Sequence, residues 1–163
     1  MAIVSTRIDD RLIHGQVASS WLGFIHAKQI ICISDKAYKD PIQMQVLKMA
    51  APEFTVHVFG VDQSIRIFKK NSIQKPTFII LDSTLSALHL KQAGVAIDRI
   101  HFGGMRKAKE RTISYGHDLC FSEEEYAAIE DLFELGVQVD YQVAAYDTPI
   151  DLREHIRKAK DKS

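Results

Sequence analysis

The sequence predicts a three-layer α/β fold, with a mostly parallel sheet of about seven strands flanked by helices on both faces. Three observations carry that expectation. Strand-like and helix-like segments alternate along the chain. The run Thr-Phe-Ile-Ile-Leu at 77–81, after Pro76, has neither charge nor polar alternation, as a parallel strand covered on both faces requires. Helix ends are marked by capping chemistry, with Asp40-Pro41 opening one helix and a Ser122/Glu125 capping box opening another.

The elements follow in order. Ala2-Ile3-Val4 begins the first strand, and residues 29–34 form a continuous apolar second one. The helix opened by Pro41 runs through Met44, Leu47 and Met49 to Ala51. Residues 54–59 alternate and read as a strand, and a helix follows through Ile65, Ile67 and Phe68. After the strand at 77–81, residues 83–93 read as a helix stopped by Gly94. A short strand at 99–102 ends in Gly103-Gly104. Two short β segments, 112–115 and 118–121, flank Gly116 and suggest a bend, a hairpin or one strand running against the others. The capped helix from Ser122 runs to Leu135 and stops at Gly136. Residues 137–143 form the last strand and 149–160 a charged amphipathic helix. No repeat, linker or low-complexity tract interrupts the pattern, so residues 1–163 are expected to form a single domain.

Composition narrows the function. Twenty-one basic and 21 acidic residues cancel, which argues against a broad nucleic-acid footprint. Cys32 and Cys120 both sit in apolar runs and read as reduced core residues, neither a disulfide nor a metal pair. No apolar stretch approaches the roughly 18 residues of a membrane span, and no signal peptide is visible. A cytoplasmic location is expected.

The chemistry is concentrated in Asp9-Asp10-Arg11-Leu12-Ile13-His14-Gly15-Gln16-Val17, close behind the first strand. Arg binds phosphate bidentately. A neutral imidazole is a competent nucleophile near pH 7. The carboxyl ends of strands in α/β sheets are where ligands bind. If the first strand neighbours those at 77–81 and 99–102, three loops open on one crevice. They bring Asp9, Asp10, Arg11 and His14, then Asp82-Ser83-Thr84, then Gly103-Gly104-Met105-Arg106. Hydroxyls of Ser83 and Thr84, together with N–H groups of Gly15, Gly103 and Gly104, would cradle a tetrahedral dianion. The plainer readings are an N-cap for Ser83 and Thr84, a tight turn for the glycines, and a salt bridge for Arg11. His26, His57, His89, His117 and His155 show no ligand spacing and are read as structural, and Trp21 as core packing under the first helix.

The segment from Arg7 to Val17, with Trp21 downstream, closely resembles the active-site segment of the IIB subunits of the mannose/fructose/sorbose family of the bacterial phosphoenolpyruvate-dependent sugar phosphotransferase system. The stretches 35–41, 48–52, 93–105 and 136–139 resemble further segments of that family in the same order, so the resemblance spans the chain. It implies a phosphohistidine–sugar phosphotransferase. Such subunits take a phosphoryl group from a IIA protein onto Nδ1 of the histidine at the position of His14. They pass it to a sugar imported by the membrane IIC and IID subunits. Arg11 corresponds to the arginine near the phosphoryl group and Asp9 to a nearby acid. No cofactor and no metal are implied, and the subunit would associate peripherally with the membrane permease. The chain departs from many relatives at Asp82-Ser83-Thr84, at His101 and near Val143-Ala144-Ala145.

Two other readings compete. In a receiver-like signalling domain, Asp82 would be phosphorylated with Mg²⁺ held by Asp9 and Asp10. That leaves Arg11 and His14 without a purpose. A nucleotide-binding protein ranks last, because neither a G-x-G-x-x-G after the first strand nor a G-x-x-x-x-G-K-[ST] occurs.

Overall fold

The computed structural model describes residues 2–15 and 17–162; Met1, Gln16 and Ser163 lie outside them, including the glutamine of the His14 segment. The strands are β1 (Ile3–Asp9), β2 (Gln29–Ile33), β3 (Thr55–Phe59), β4 (Thr77–Leu81), β5 (Arg99–Gly104), β6 (Ile113–Ser114), β7 (Cys120–Phe121), β8 (Gln138–Tyr141) and β9 (Ile150–Asp151). The helices are α1 (Leu22–Phe24), α2 (Asp35–Tyr38), α3 (Pro41–Ala50), α4 (Val61–Lys70), α5 (Thr84–Gln92), α6 (Glu123–Glu134) and α7 (Leu152–Asp161), and a π-helical turn, Val17–Trp21, precedes α1.

Seven strands form one sheet in the order β3-β2-β4-β1-β5-β8-β9. Every pairing is parallel except β8 with β9. Strand residues project alternately to the two faces, and the core divides accordingly. On one face Ile31, Ile33, Ile79, Leu81, Ile8, Ile100 and Phe102 pack with residues of α4, α5, α6 and α7. On the other, Ile30, Cys32, Phe78, Ile80, Val56 and Val58 pack with Leu12, Ile13, Val17, Trp21 and Leu47. All five residues of β4 are buried, as the uninterrupted run at 77–81 predicts. Both cysteines are free and buried, and burial pushes the Cys32 thiol up to about 12, which keeps it inert.

The capping signals hold. Asp40 Oδ1 accepts from the N–H of Ile42 at 3.0 Å and of Gln43 at 3.2 Å, with Pro41 in the first helical position. Ser122 and Glu125 form a reciprocal capping box, and Gly136, at φ +80°, closes α6 in the left-handed conformation that glycine adopts cheaply. The two segments around Gly116 are a hairpin, β6 against β7, in a small sheet of its own.

Three differences from expectation place residues in the sheet. β1 runs on through Asp9, so Arg7 and Asp9 belong to the sheet. β5 runs through Gly104 and takes up the glycines expected in a loop. The segment at 149–160 begins with β9, two residues paired antiparallel to β8, before α7 starts at Leu152.

Candidate active site

β1 lies between β4 and β5, so the three loops expected to meet do leave the sheet side by side from parallel strands. The crevice sits where the chain changes direction across the sheet, because β1 is followed by β2 on one side and β4 by β5 on the other.

The His14 loop is built by a tight turn. The N–H of Leu12 donates to the Asp9 carbonyl at 2.9 Å, and Leu12 takes φ +59°, a left-handed conformation that costs a non-glycine residue roughly 1–2 kcal/mol. Its buried side chain, 1 % exposed, anchors the turn in the core beneath the loop. The turn folds His14 back over the end of β1, and Nε2 of its ring lies 2.8 Å from Asp9 Oδ2.

Asp9 is the hub of the site. Its side chain is almost wholly buried, yet its carboxyl is held below the usual range. Burial pushes the pKa up; the hydrogen bond from His14, the charge of Arg7 and the N–H of Arg11 together outweigh it. An ionised carboxylate only accepts, so the proton in the 2.8 Å contact sits on Nε2 of His14. The other ring nitrogen, Nδ1, then carries the lone pair. Asp9 Oδ1 takes the backbone N–H of Arg11 at 3.1 Å, and the Arg11 Nε is 3.8 Å away. The Arg11 side chain is 42 % exposed, beside a His14 side chain that is 16 % exposed.

Sequence reasoning missed Arg7 and underrated Trp21. Arg7 is fully buried; Nη2 donates to Asp9 Oδ2 at 3.1 Å and to the Val143 carbonyl at 3.0 Å, and Nη1 donates to the Gln142 carbonyl at 2.9 Å. The guanidinium stacks 4.9 Å from the centroid of Trp21, whose indole N–H donates to the Val143 carbonyl at 2.8 Å. The segment after β8 is thus clamped to the active-site loop. The one available signal was charge alternating with Ile8 inside a strand, which reads equally well as a solvated face.

The remaining expected site residues fall into two groups. Ser83 and Gly15 stay accessible. Ser83 caps α5 by accepting from the Ser86 N–H, and it lines a cleft of about 460 Å³ with Asp10, Lys36, Asp82, Arg106 and Arg111. Gly15 is exposed, and a Cβ built there would meet no atom within 4 Å. The other three are placed differently from expectation. Thr84 is fully buried and spends its hydroxyl on the Glu125 carbonyl at 2.7 Å, which joins α5 to α6 and leaves no hydrogen for a phosphoryl oxygen. Gly103 is buried under Arg7: a Cβ there would lie 2.0 Å from Nη2, so the glycine makes room for the guanidinium. Gly104 is buried beside Asp9 in the sheet, and its carbonyl accepts the Asp10 N–H at 3.1 Å.

Asp10 turns away from Asp9. It accepts from Arg106 Nε and Arg111 Nη1, each at 3.2 Å, and Arg111 is bidentate to Glu125 at 3.0 and 3.1 Å. This network ties the 105–111 loop to the end of β1. His101 pairs in register with Arg7, and its ring lies 5.1 Å from Trp21; burial first, then Arg99, pushes its pKa down.

A strand-end histidine is thus fixed through one nitrogen beside an exposed arginine. The family model for the PTS system sorbose subfamily IIB component matches residues 3–163. The chain belongs to this family. It is a phosphotransfer domain of the sugar phosphotransferase system, and so a transferase. A sorbose-specific EIIB component from Lacticaseibacillus casei is 30 % identical over 154 residues, covering 93 % of each chain. An N-acetylgalactosamine-specific IIB component from Escherichia coli K12 is 28 % identical over 151 residues, covering 92 % of this chain and 96 % of its own. The crystal structure of the IIB domain of the sorbose permease from Klebsiella pneumoniae superposes with a TM-score of 0.86 at 26 % identity, covering 97 % of this chain and 98 % of that one.

Proposed function

We propose that this IIB component accepts a phosphoryl group on Nδ1 of His14 from the phosphohistidine of a IIA protein and delivers it to a sugar brought in by the membrane IIC and IID subunits. The observation that carries this reading is the 2.8 Å contact of Asp9 Oδ2 with Nε2 of His14, which leaves Nδ1 as the nucleophile. In the first step the Nδ1–P bond forms as the N–P bond of the donor breaks, and the donor imidazole leaves with the electron pair. In the second the O–P bond to a sugar hydroxyl forms as the Nδ1–P bond breaks, the hydroxyl proton passes to solvent, and His14 keeps the electron pair and returns to the neutral ring. Transfer of this kind depends on position and charge stabilisation more than on covalent help from the protein. Arg11 supplies the charge and a planar fork for the phosphoryl oxygens. Ser83 and the backbone at Gly15 are the further candidate contacts. Asp9 positions the ring.

A partly exposed His14 beside an exposed Arg11 suits two successive protein encounters. Among the described residues no helix is long and apolar enough to cross a membrane, which fits a domain working at the cytoplasmic face of a permease supplied by other chains. The receiver-like alternative finds less support, because Asp9 is held by Arg7 and His14 while Asp10 is held by Arg106 and Arg111. The pair does not converge toward Asp82 to share a divalent cation.

The test is to incubate the protein with phosphoenolpyruvate, the general transfer proteins and a cognate IIA, then map the modified residue. An acid-labile, base-stable label on His14 is expected. A base-labile, Mg²⁺-dependent label on Asp82 would overturn the assignment.

A further inference from the structure

We infer that Arg7 is a positioning residue for phosphoryl transfer: it neutralises the buried Asp9 carboxylate, so that Asp9 can fix the His14 ring without holding it as an imidazolium. This role presupposes His14 as the phosphoryl carrier. The geometry is a chain of three groups meeting at one atom. Asp9 Oδ2 accepts from Nη2 of Arg7 at 3.1 Å and from Nε2 of His14 at 2.8 Å. A buried carboxylate beside an imidazole ordinarily favours the ring's cation, and a cationic ring has no lone pair to attack phosphorus. A permanent charge on the far side of the same oxygen removes that demand. Arginine is the residue able to do this, since a guanidinium stays protonated even when buried.

The protein has arranged space for Arg7 at some cost. The side chain is fully buried, its Nε has no hydrogen-bond partner among the described residues, and residue 103 must lack a Cβ to let it pass. A residue serving only to hold the Gln142 and Val143 carbonyls would not need to share the oxygen that orients His14. The charged and titratable groups around the pair are few. On its own strand and loop, Asp9 meets Arg7, Arg11 and His14. From β5, His101 faces Arg7, and burial keeps it toward its neutral form. From the segment after β8 come the carbonyls of Gln142 and Val143, and from the π-helical turn the uncharged Trp21. Arg7 and Arg11 are therefore the fixed positive charges on Asp9, and of the two only Arg7 hydrogen-bonds the carboxylate through its guanidinium.

The experiment follows the His14 ring resonances of the unphosphorylated protein by NMR as pH is varied, so it does not depend on whether His14 carries phosphate. In Arg7→Gln the carboxylate keeps its burial but loses its countercharge. The ring should then titrate about one pH unit or more above its position in the parent protein. Gly103→Ala tests the same contact from the other side, because the added Cβ pushes the guanidinium off Asp9 without removing it. It should move the midpoint in the same direction by a smaller amount. An unchanged midpoint in either variant that retains native circular dichroism would overturn the inference. Loss of folding in both would overturn it too, by making Arg7 a packing residue. Failure to label His14 with phosphate, with the shift present, would instead remove the functional reading and leave the electrostatic one standing.

Discussion

Asp9 and His14 are joined by a 2.8 Å hydrogen bond that runs from the histidine's Nε2 to a carboxylate oxygen also held by Arg7. One buried carboxylate therefore selects the ring nitrogen that stays free. Asp9→Asn should lose that selection, because an amide can accept or donate and no longer enforces one tautomer. Phosphoryl acceptance should fall about a hundred-fold or more, the scale expected when a reacting group is misplaced. The substitution also leaves a buried guanidinium unpaired, which typically costs about 3–5 kcal/mol. Single-turnover transfer from phosphorylated IIA and a thermal melt would measure the two effects separately.

Arg11→Lys separates charge from geometry. Its side chain is 42 % exposed, so the melting temperature should barely move. The lysine keeps a point charge but not the fork that meets two phosphoryl oxygens. Loss of such a preorganised donor typically lowers a rate about a hundred- to a thousand-fold, or about 2.7–4 kcal/mol. Transfer at the parent rate would show that Arg11 acts only through its backbone N–H, which already donates to Asp9 Oδ1.

The sheet, the caps at Asp40 and Ser122, and the loop bearing His14 were legible because each is written locally. A cap needs one polar residue at one offset, and a doubly covered strand needs an unbroken apolar run. What was not legible depends on partners far away in the chain. Arg7 is buried because Gln142 and Val143, more than 130 residues on, offer carbonyls to it and Gly103 offers space. β9 is two residues long, too short for any period to show. Thr84 differs from Ser83 by one step along a helix start, and that step turns its hydroxyl from the crevice to the Glu125 carbonyl.

That one-residue difference can be tested. Thr84→Val removes the hydroxyl and leaves the buried Glu125 carbonyl without this donor, at a cost of about 1–3 kcal/mol. Its transfer rate at a temperature where it is folded should match the parent. Ser83→Ala should do the reverse if Ser83 touches the phosphoryl group: a loss of about 1 kcal/mol or less from the helix cap, with slower transfer. Equal transfer in both variants would confine the phosphate contacts to the His14 loop.

Asp82 and Asp9 should pull the pH dependence of stability in opposite directions. Asp9 titrates in the folded protein below its ordinary value of 3.8, so its contribution is fully present above that value and is lost as pH falls through the folded-state pKa. Asp82 is raised: burial first, with Asp35 adding to it, outweighs the hydrogen bonds from Ser34 and Ser86. Its contribution is therefore present below the ordinary value of 3.8 and is lost as pH rises through the folded-state pKa, leaving an ionised, half-sequestered carboxylate at neutral pH. Asp82→Asn keeps an acceptor for the Ser86 hydroxyl, which now bonds Oδ1 at 2.9 Å, and removes the charge. It should stabilise the protein at pH 7, and the gain should shrink as pH falls and the parent carboxyl takes up a proton. Asp9→Asn should behave oppositely, destabilising most at pH 7 and least in acid. Urea melts of both variants at pH 4 and pH 7 measure this crossing. The same Asp82→Asn protein should accept phosphate from IIA at the parent rate. A protein stabilised but unable to be phosphorylated would return the phosphoryl group to Asp82, and with it the receiver-like reading.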